Sequence, residues 1–155
     1  MRQLLGLLVI GIWSGLTINA QPPGKADLTI RISAPVSTVK AGSDVYIKIQ
    51  MTNTSDHPVD CSTYIVSGTD RRFRVEIKDE NGNLMKKKDL HPEMMPGSFA
   101  SCTLEPGESA SREELASWAS DLTRPGVYTV QVGRIVGNGK NDLVRSNQIT
   151  ITITP

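Results

Sequence analysis

Residues 122–132 read LTRPGVYTVQV. A Pro125-Gly126 turn leads into a run in which Tyr128, Val130 and Val132 share one side and Thr129 and Gln131 the other. Period-two alternation over a β-branched segment is the pattern of a strand with one buried and one wet face. Tyr128 opens that strand at an inward position. A phenol placed there can fill the core with its ring while its hydroxyl reaches an unpaired backbone group nearby.

The same period recurs along the chain. Leu28, Ile30 and Ile32 alternate with Asp27, Thr29 and Arg31. Val45, Ile47, Ile49 and Met51 alternate with Tyr46, Lys48 and Gln50. Phe73, Val75 and Ile77 alternate with Arg72, Arg74, Glu76 and Lys78, and Ile149, Ile151 and Ile153 with three threonines. With no crossover helices between them, these strands predict an antiparallel sandwich rather than a parallel sheet. Asn81-Gly82 reads as a tight turn needing positive φ, and Pro106-Gly107 as a further turn. A short helix is expected within Ser111 to Ser120, where Ser111 and Glu114 are spaced like a capping box and Leu115, Trp118 and Leu122 could cover one face. No strand is assigned to Ser62 to Asp70 or to Lys86 to Phe99.

The set Leu122, Pro125, Gly126 and Tyr128, L-x-x-P-G-x-Y before a strand, resembles the tyrosine corner of immunoglobulin-like and fibronectin-type sandwiches. The fold expected is all-β: an antiparallel immunoglobulin-like β-sandwich of about seven to eight strands with one short helical turn.

The 155 residues carry 17 Lys+Arg against 16 Asp+Glu, so there is no basic excess to hold nucleic acid or an anionic membrane. At 38% hydrophobic and 21% charged, the chain is too apolar for a disordered tail. Residues 1–20 have the order of a secretory signal: Arg2, an apolar run from Leu4 to Ile12, and the small residue Ala20 at a cleavage position. The expected layout is a signal peptide over 1–20, a short linker over 21–25 and one sandwich domain over 26–155. The expected location is the periplasm or the extracellular medium, with no membrane attachment after cleavage.

Cys61 and Cys102 are the two cysteines. In an oxidising compartment such a pair forms a bridge, here closing a loop of about 40 residues, worth roughly 4 kcal/mol on chain entropy. Two separate buried thiols are the alternative.

Catalytic chemistry finds little purchase. A hydrolytic triad needs a histidine, and His57 and His91 both sit in loops. His57, Asp60 and Cys61 could be drawn as a metal site, but no further ligand is spaced for zinc. The adjacent carboxylates Glu113-Glu114 and Asp79-Glu80 do not face one another across a bond. No catalytic residue, metal or cofactor is assigned. The basic groups Lys86-Lys87-Lys88 and Arg71, Arg72, Arg74 read as a solvated face that protects a strand edge. Asn53-Thr54-Ser55 is an N-glycosylation sequon. Trp118 reads as a core residue.

Taken in order, NTSDHPV, FRVEIKDENGN, LEPGES and PGVYTVQV resemble the BsuPI family, the intracellular-proteinase-inhibitor type of bacterial β-sandwich, over about Val45 to Val132. The resemblance implies the fold. It transfers no inhibitory residues, because LMKKKDLHP stands where that family's tryptophan-containing stretch would follow NGN. The expected function is a secreted, non-catalytic binding or accessory module whose partner is a protein or a cell-surface polymer. The alternative is a secreted proteinase inhibitor acting through Asn53 to Asp60 or His91 to Ser101, with a protease as partner.

Overall fold

The computed structural model describes residues 27–66, 69–87, 96–136 and 143–155. The signal, linker, Lys88 and His91 lie outside them.

Seven strands build two facing sheets. The first contains β1 (Leu28–Ser33), β3 (Tyr46–Asn53) and β10 (Ser109–Leu115), in the order β1-β3-β10. The second contains β2 (Thr38–Lys40), β7 (Phe73–Lys78), β11 (Gly126–Ile135) and β12 (Leu143–Thr154), in the order β2-β12-β11-β7. All pairings are antiparallel except β2 with β12. The chain enters the first sheet at β1, crosses at Pro35 and joins the second at β2. That switch, with three strands facing four, is the immunoglobulin-like arrangement.

The core is the set of inward residues that alternation nominates. Leu28, Ile30, Ile32, Ile47, Ile49 and Met51 of the first sheet meet Phe73, Val75, Ile77, Tyr128, Val130, Val132, Ile151 and Ile153 of the second, all buried. In β1, β3 and β7 their neighbours along the strand are exposed or half-buried, as the period-two pleat requires.

Tyr128 is 5% exposed and its hydroxyl donates to the Arg124 carbonyl at 2.9 Å. Leu122 is buried in the same core, Pro125 is at the surface, and Gly126 begins β11. The bond closes the loop that carries the chain into β11. At the turn after β7, Gly82 has φ +80°, and Asp79 Oδ1 accepts the amides of Asn81 and Asn83.

The helix is shorter than the sequence predicts. Only Ala116–Ala119, α1, is helical, while Ser111 to Leu115 continue β10. Ser111 and Glu114 form no capping box. Pairing of Ser111 with Gln50 and Glu114 with Ile47 holds the backbone extended, and Glu114 is drawn inward. Trp118 is half-buried rather than central to the core.

The five remaining strands form a lobe at one end, largely in the stretches to which the sequence assigns no strand. β4 (Val59–Asp60) pairs with β9 (Thr103–Leu104), and β5 (Thr63–Val66) lies between β6 (Thr69–Asp70) and β8 (Gly97–Ala100). Twelve strands among the described residues thus exceed the seven to eight expected, by these short additions.

Candidate binding surface on a disulfide-locked lobe

Cys61 and Cys102 are bridged and join the two halves of the lobe, where the Cys61 amide also donates to the Cys102 carbonyl at 3.0 Å. Ser62 adds a second tie, its hydroxyl accepting the Cys102 amide at 3.1 Å. The lobe is therefore cross-linked where it leaves the sandwich.

Beneath it lies a buried ionic cluster. Asp70 of β6 is 0% exposed, Arg134 of β11 1% and Glu114 of β10 2%. Arg112 of β10 links the two acids, with Nη1 2.8 Å from Asp70 Oδ2 and Nη2 2.8 Å from Glu114 Oε1. Asp70 Oδ1 accepts the amides of Tyr64 and Arg72 at 2.9 and 3.1 Å. Arg134 donates through Nη2 to the Ser62 carbonyl at 2.9 Å. Both guanidiniums lie over the ring of Phe73, that of Arg112 at 5.9 Å and that of Arg134 at 5.2 Å from its centroid. Two cations thus offset two anions inside the protein, and a buried charge without such a partner would cost several kcal/mol.

Burial dominates at Glu114 and raises its pKa against the opposing pull of Arg112. Burial likewise lowers that of Arg134, opposed by Asp70. The cluster ties β6 to β10 through Asp70 and Arg112, and β11 to the start of the lobe through Arg134 and the Ser62 carbonyl.

On the outside of the lobe the chemistry is different. Tyr64 and Phe99 face one another across β5 and β8, and are 45% and 59% exposed. The Tyr64 ring lies over Gly97, so close that a Cβ there would stand 2.8 Å from it. Glycine makes room for that ring. Arg72 covers one side of Phe99, 5.6 Å from the ring centroid, and is ion-paired with Asp60. Burial opposes ionisation of Asp60, but hydrogen bonds from Ser62 and Arg72 outweigh it and lower its pKa. Two exposed aromatic rings thus stand beside an ion pair on a cross-linked support.

The described residues of the two basic groups are solvated with one exception. Arg71, Arg74, Lys86 and Lys87 are exposed, while Arg72 is half-buried and committed to Asp60 and Phe99.

The residues drawn as a metal site do not converge. Cys61 is in the disulfide, Asp60 faces Arg72, and His57 faces Asp56 at 3.1 Å and Asp27 at 3.7 Å. No group of three His, Cys, Asp or Glu able to hold a metal ion occurs among the described residues.

The sequon residue Asn53 is 1% exposed. Its Nδ2 donates to the carbonyls of His57 at 2.7 Å and Leu104 at 2.9 Å, and its Oδ1 accepts from Ser55. Asn53 thus shapes the Thr54 to Pro58 loop from within. In the folded protein the amide nitrogen that would carry a glycan is occupied.

Tyr64 and Phe99 escape sequence reasoning because each lies in a four-residue strand, too short for alternation to register. A signal exists for Arg134: it has the parity of Tyr128, Val130 and Val132, which marks it inward.

No family model and no curated protein matches the chain. Solved structures of similar fold do. The CARDB domain of a Pyrococcus furiosus protein, in complex with di-metal ions, is 18% identical over 82% of this chain and 92% of that one, with a TM-score of 0.44. The Bacillus subtilis sporulation control protein is 10% identical over 83% of this chain and 50% of its own, with a TM-score of 0.47. The C-terminal domain of wzt is 12% identical over 85% and 76%, with a TM-score of 0.48. The immunoglobulin-like fold stands on the strand order above. The BsuPI resemblance gains nothing from these comparisons.

Proposed function

We propose that the chain is a secreted or periplasmic, non-catalytic binding module, with the outer face of the lobe as its contact surface and a protein or cell-surface polymer as its partner. One observation carries this reading: Tyr64 and Phe99 stay in solvent although a rigid, cross-linked support holds them there. Large aromatic side chains left exposed side by side are how binding surfaces gain area at low entropic cost. The disulfide supports an oxidising location. No helix among the described residues is long and apolar enough to cross a membrane.

The test is binding of the mature protein to purified cell-wall polysaccharide and, separately, to solubilised envelope proteins, comparing the natural chain with the Tyr64→Ala/Phe99→Ala variant. Binding that falls at least tenfold in the variant, about 1.4 kcal/mol, supports the reading. Equal binding by both moves the contact surface elsewhere.

A second reading, proteinase inhibition, is favoured by the loop Thr54 to Pro58, whose Asp56, His57 and Pro58 are exposed while Asn53 holds it from within. Rigid presentation is what a cleft-binding loop needs. Titration of serine and metalloproteases with the mature protein decides it: stoichiometric loss of activity supports inhibition, and full activity at large excess removes it for the classes tested.

A further inference from the structure

Among the described residues the lobe has a strand edge with no neighbour. In the order β6-β5-β8, strand β8 is terminal, and among the described residues no strand lies on its far side. Its four residues are all exposed.

Which backbone groups point outward follows from the partners of β5. The Tyr64 amide donates to Asp70 and its carbonyl accepts from Arg71, so both groups point toward β6. Antiparallel strands alternate hydrogen-bonded and non-hydrogen-bonded pairs. Tyr64 and Phe99 are therefore a non-hydrogen-bonded pair, and the N–H and C=O of Phe99 point away from β5. Gly97 has the same parity.

Native edges are protected by charge, proline or a bulge. Gly97 to Ser101 reads GSFAS and contains no charged residue and no proline. The segment is also symmetric in size, with two small residues on each side of Phe99. Centred on Phe99, antiparallel self-pairing sets Phe99 opposite Phe99, Ser98 opposite Ala100 and Gly97 opposite Ser101. The outward groups of Phe99 then bond to those of its counterpart. At a formal charge of +1, two copies have no long-range repulsion to overcome.

We propose that the β8 edge accepts the β8 edge of a second copy of this chain, forming a six-stranded sheet across a two-fold axis. The axis stands normal to the sheet, so Tyr64 and Phe99 of both copies line one face as a continuous aromatic ladder. The inference goes beyond the binding reading and does not depend on it. A four-residue edge with two rings buries less than the roughly 800 Å² per partner of a standard interface, so the dimer is weak.

The experiment is analytical ultracentrifugation of the mature protein from about 10 μM to about 1 mM, where an interface of this size dissociates. Two variants accompany it, S98K/A100K and S98D/A100D, which place like charges opposite one another at the two equivalent positions. The side chains at 98 and 100 lie on the face away from the aromatic rings, and both residues are exposed. Self-association is expected for the natural chain, about tenfold weaker or worse for each variant, and restored when the variants are mixed in equal amounts. Restoration shows that both variants are folded. A monomeric natural chain throughout the range overturns the proposal, as does undiminished self-association of the variants or failure of the mixture to recover it.

Discussion

Asp70 Oδ2 sits 2.8 Å from Arg112 Nη1, with the Asp70 side chain fully covered and that of Arg112 18% exposed. The pair ties the lobe to the sandwich through β6 and β10. Its position follows from β10, which is a strand to Leu115 and so turns Arg112 and Glu114 toward the interior.

Asp70→Ala is expected to be among the most damaging single changes. It removes the acceptor of two backbone amides and leaves Arg112 and Arg134 short of one anion. Removing one partner of a buried pair costs about 3–5 kcal/mol. Urea unfolding followed by fluorescence should show a correspondingly lower midpoint, and a loss below about 1 kcal/mol would mean that the cluster is not the clamp described here.

Tyr128→Phe keeps the ring and deletes the bond to the Arg124 carbonyl. The expected cost is about 1 kcal/mol, read as a lower urea midpoint with an unchanged slope. The aromatic rings of the lobe are on another element, so binding by that surface should not change.

Cys61→Ser/Cys102→Ser removes a cross-link between residues 41 apart. The chain-entropy contribution is about 4 kcal/mol as an upper figure. The loss should also be local: hydrogen exchange should rise first in β4, β5, β8 and β9, while the two main sheets keep their protection. Uniform loss of protection would show that the lobe and sandwich unfold as one unit.

Asn53→Ala strips the buried Leu104 carbonyl and the part-buried His57 carbonyl of their donor, with an expected cost of about 2 kcal/mol. When the chain is secreted by a glycosylating host, intact mass should show no glycan on Asn53 in the folded fraction. A folded glycosylated species would contradict the burial of this residue.

Two glutamates respond to pH with opposite sign. Glu76 has its pKa lowered by the Arg145 hydrogen bond, so its stabilisation is present above 4.5 and is lost as pH falls through the lower folded value. Glu114 has its pKa raised by burial, so the cost of its charge is absent well below 4.5 and grows as pH rises through the higher folded value. As pH falls from neutral toward 4.5, the natural chain should gain stability relative to Glu114→Gln. Below 4.5 it should lose relative to Glu76→Gln. The second effect is small, because the Arg145–Glu76 pair is near the surface. Urea midpoints across the acid range check both signs.

The alternation of Leu28, Ile30 and Ile32, of Ile47, Ile49 and Met51, and of Tyr128, Val130 and Val132 makes the core legible in the amino-acid sequence. Such patterns depend only on which side of a pleated strand each residue faces. The spacing of Leu122, Pro125, Gly126 and Tyr128 is legible for the same local reason, as is the chance of a bridge between the two cysteines. Ser111 with Glu114 misleads, because a capping box and an inward-facing strand acid have the same spelling. The choice between them is made by pairing with β3, far away in the chain.

The local pattern of the chain is therefore enough for strands, inward faces, turns and the class of fold, since these arise from steric preference and burial within a few residues. The lobe, the Asp70–Arg112–Glu114–Arg134 cluster and the exposed Tyr64–Phe99 pair belong to the tertiary structure alone. Each joins short segments 35 to 72 residues apart. A charge becomes a buried partner, and a ring a surface feature, only once distant strands have fixed what lies above it.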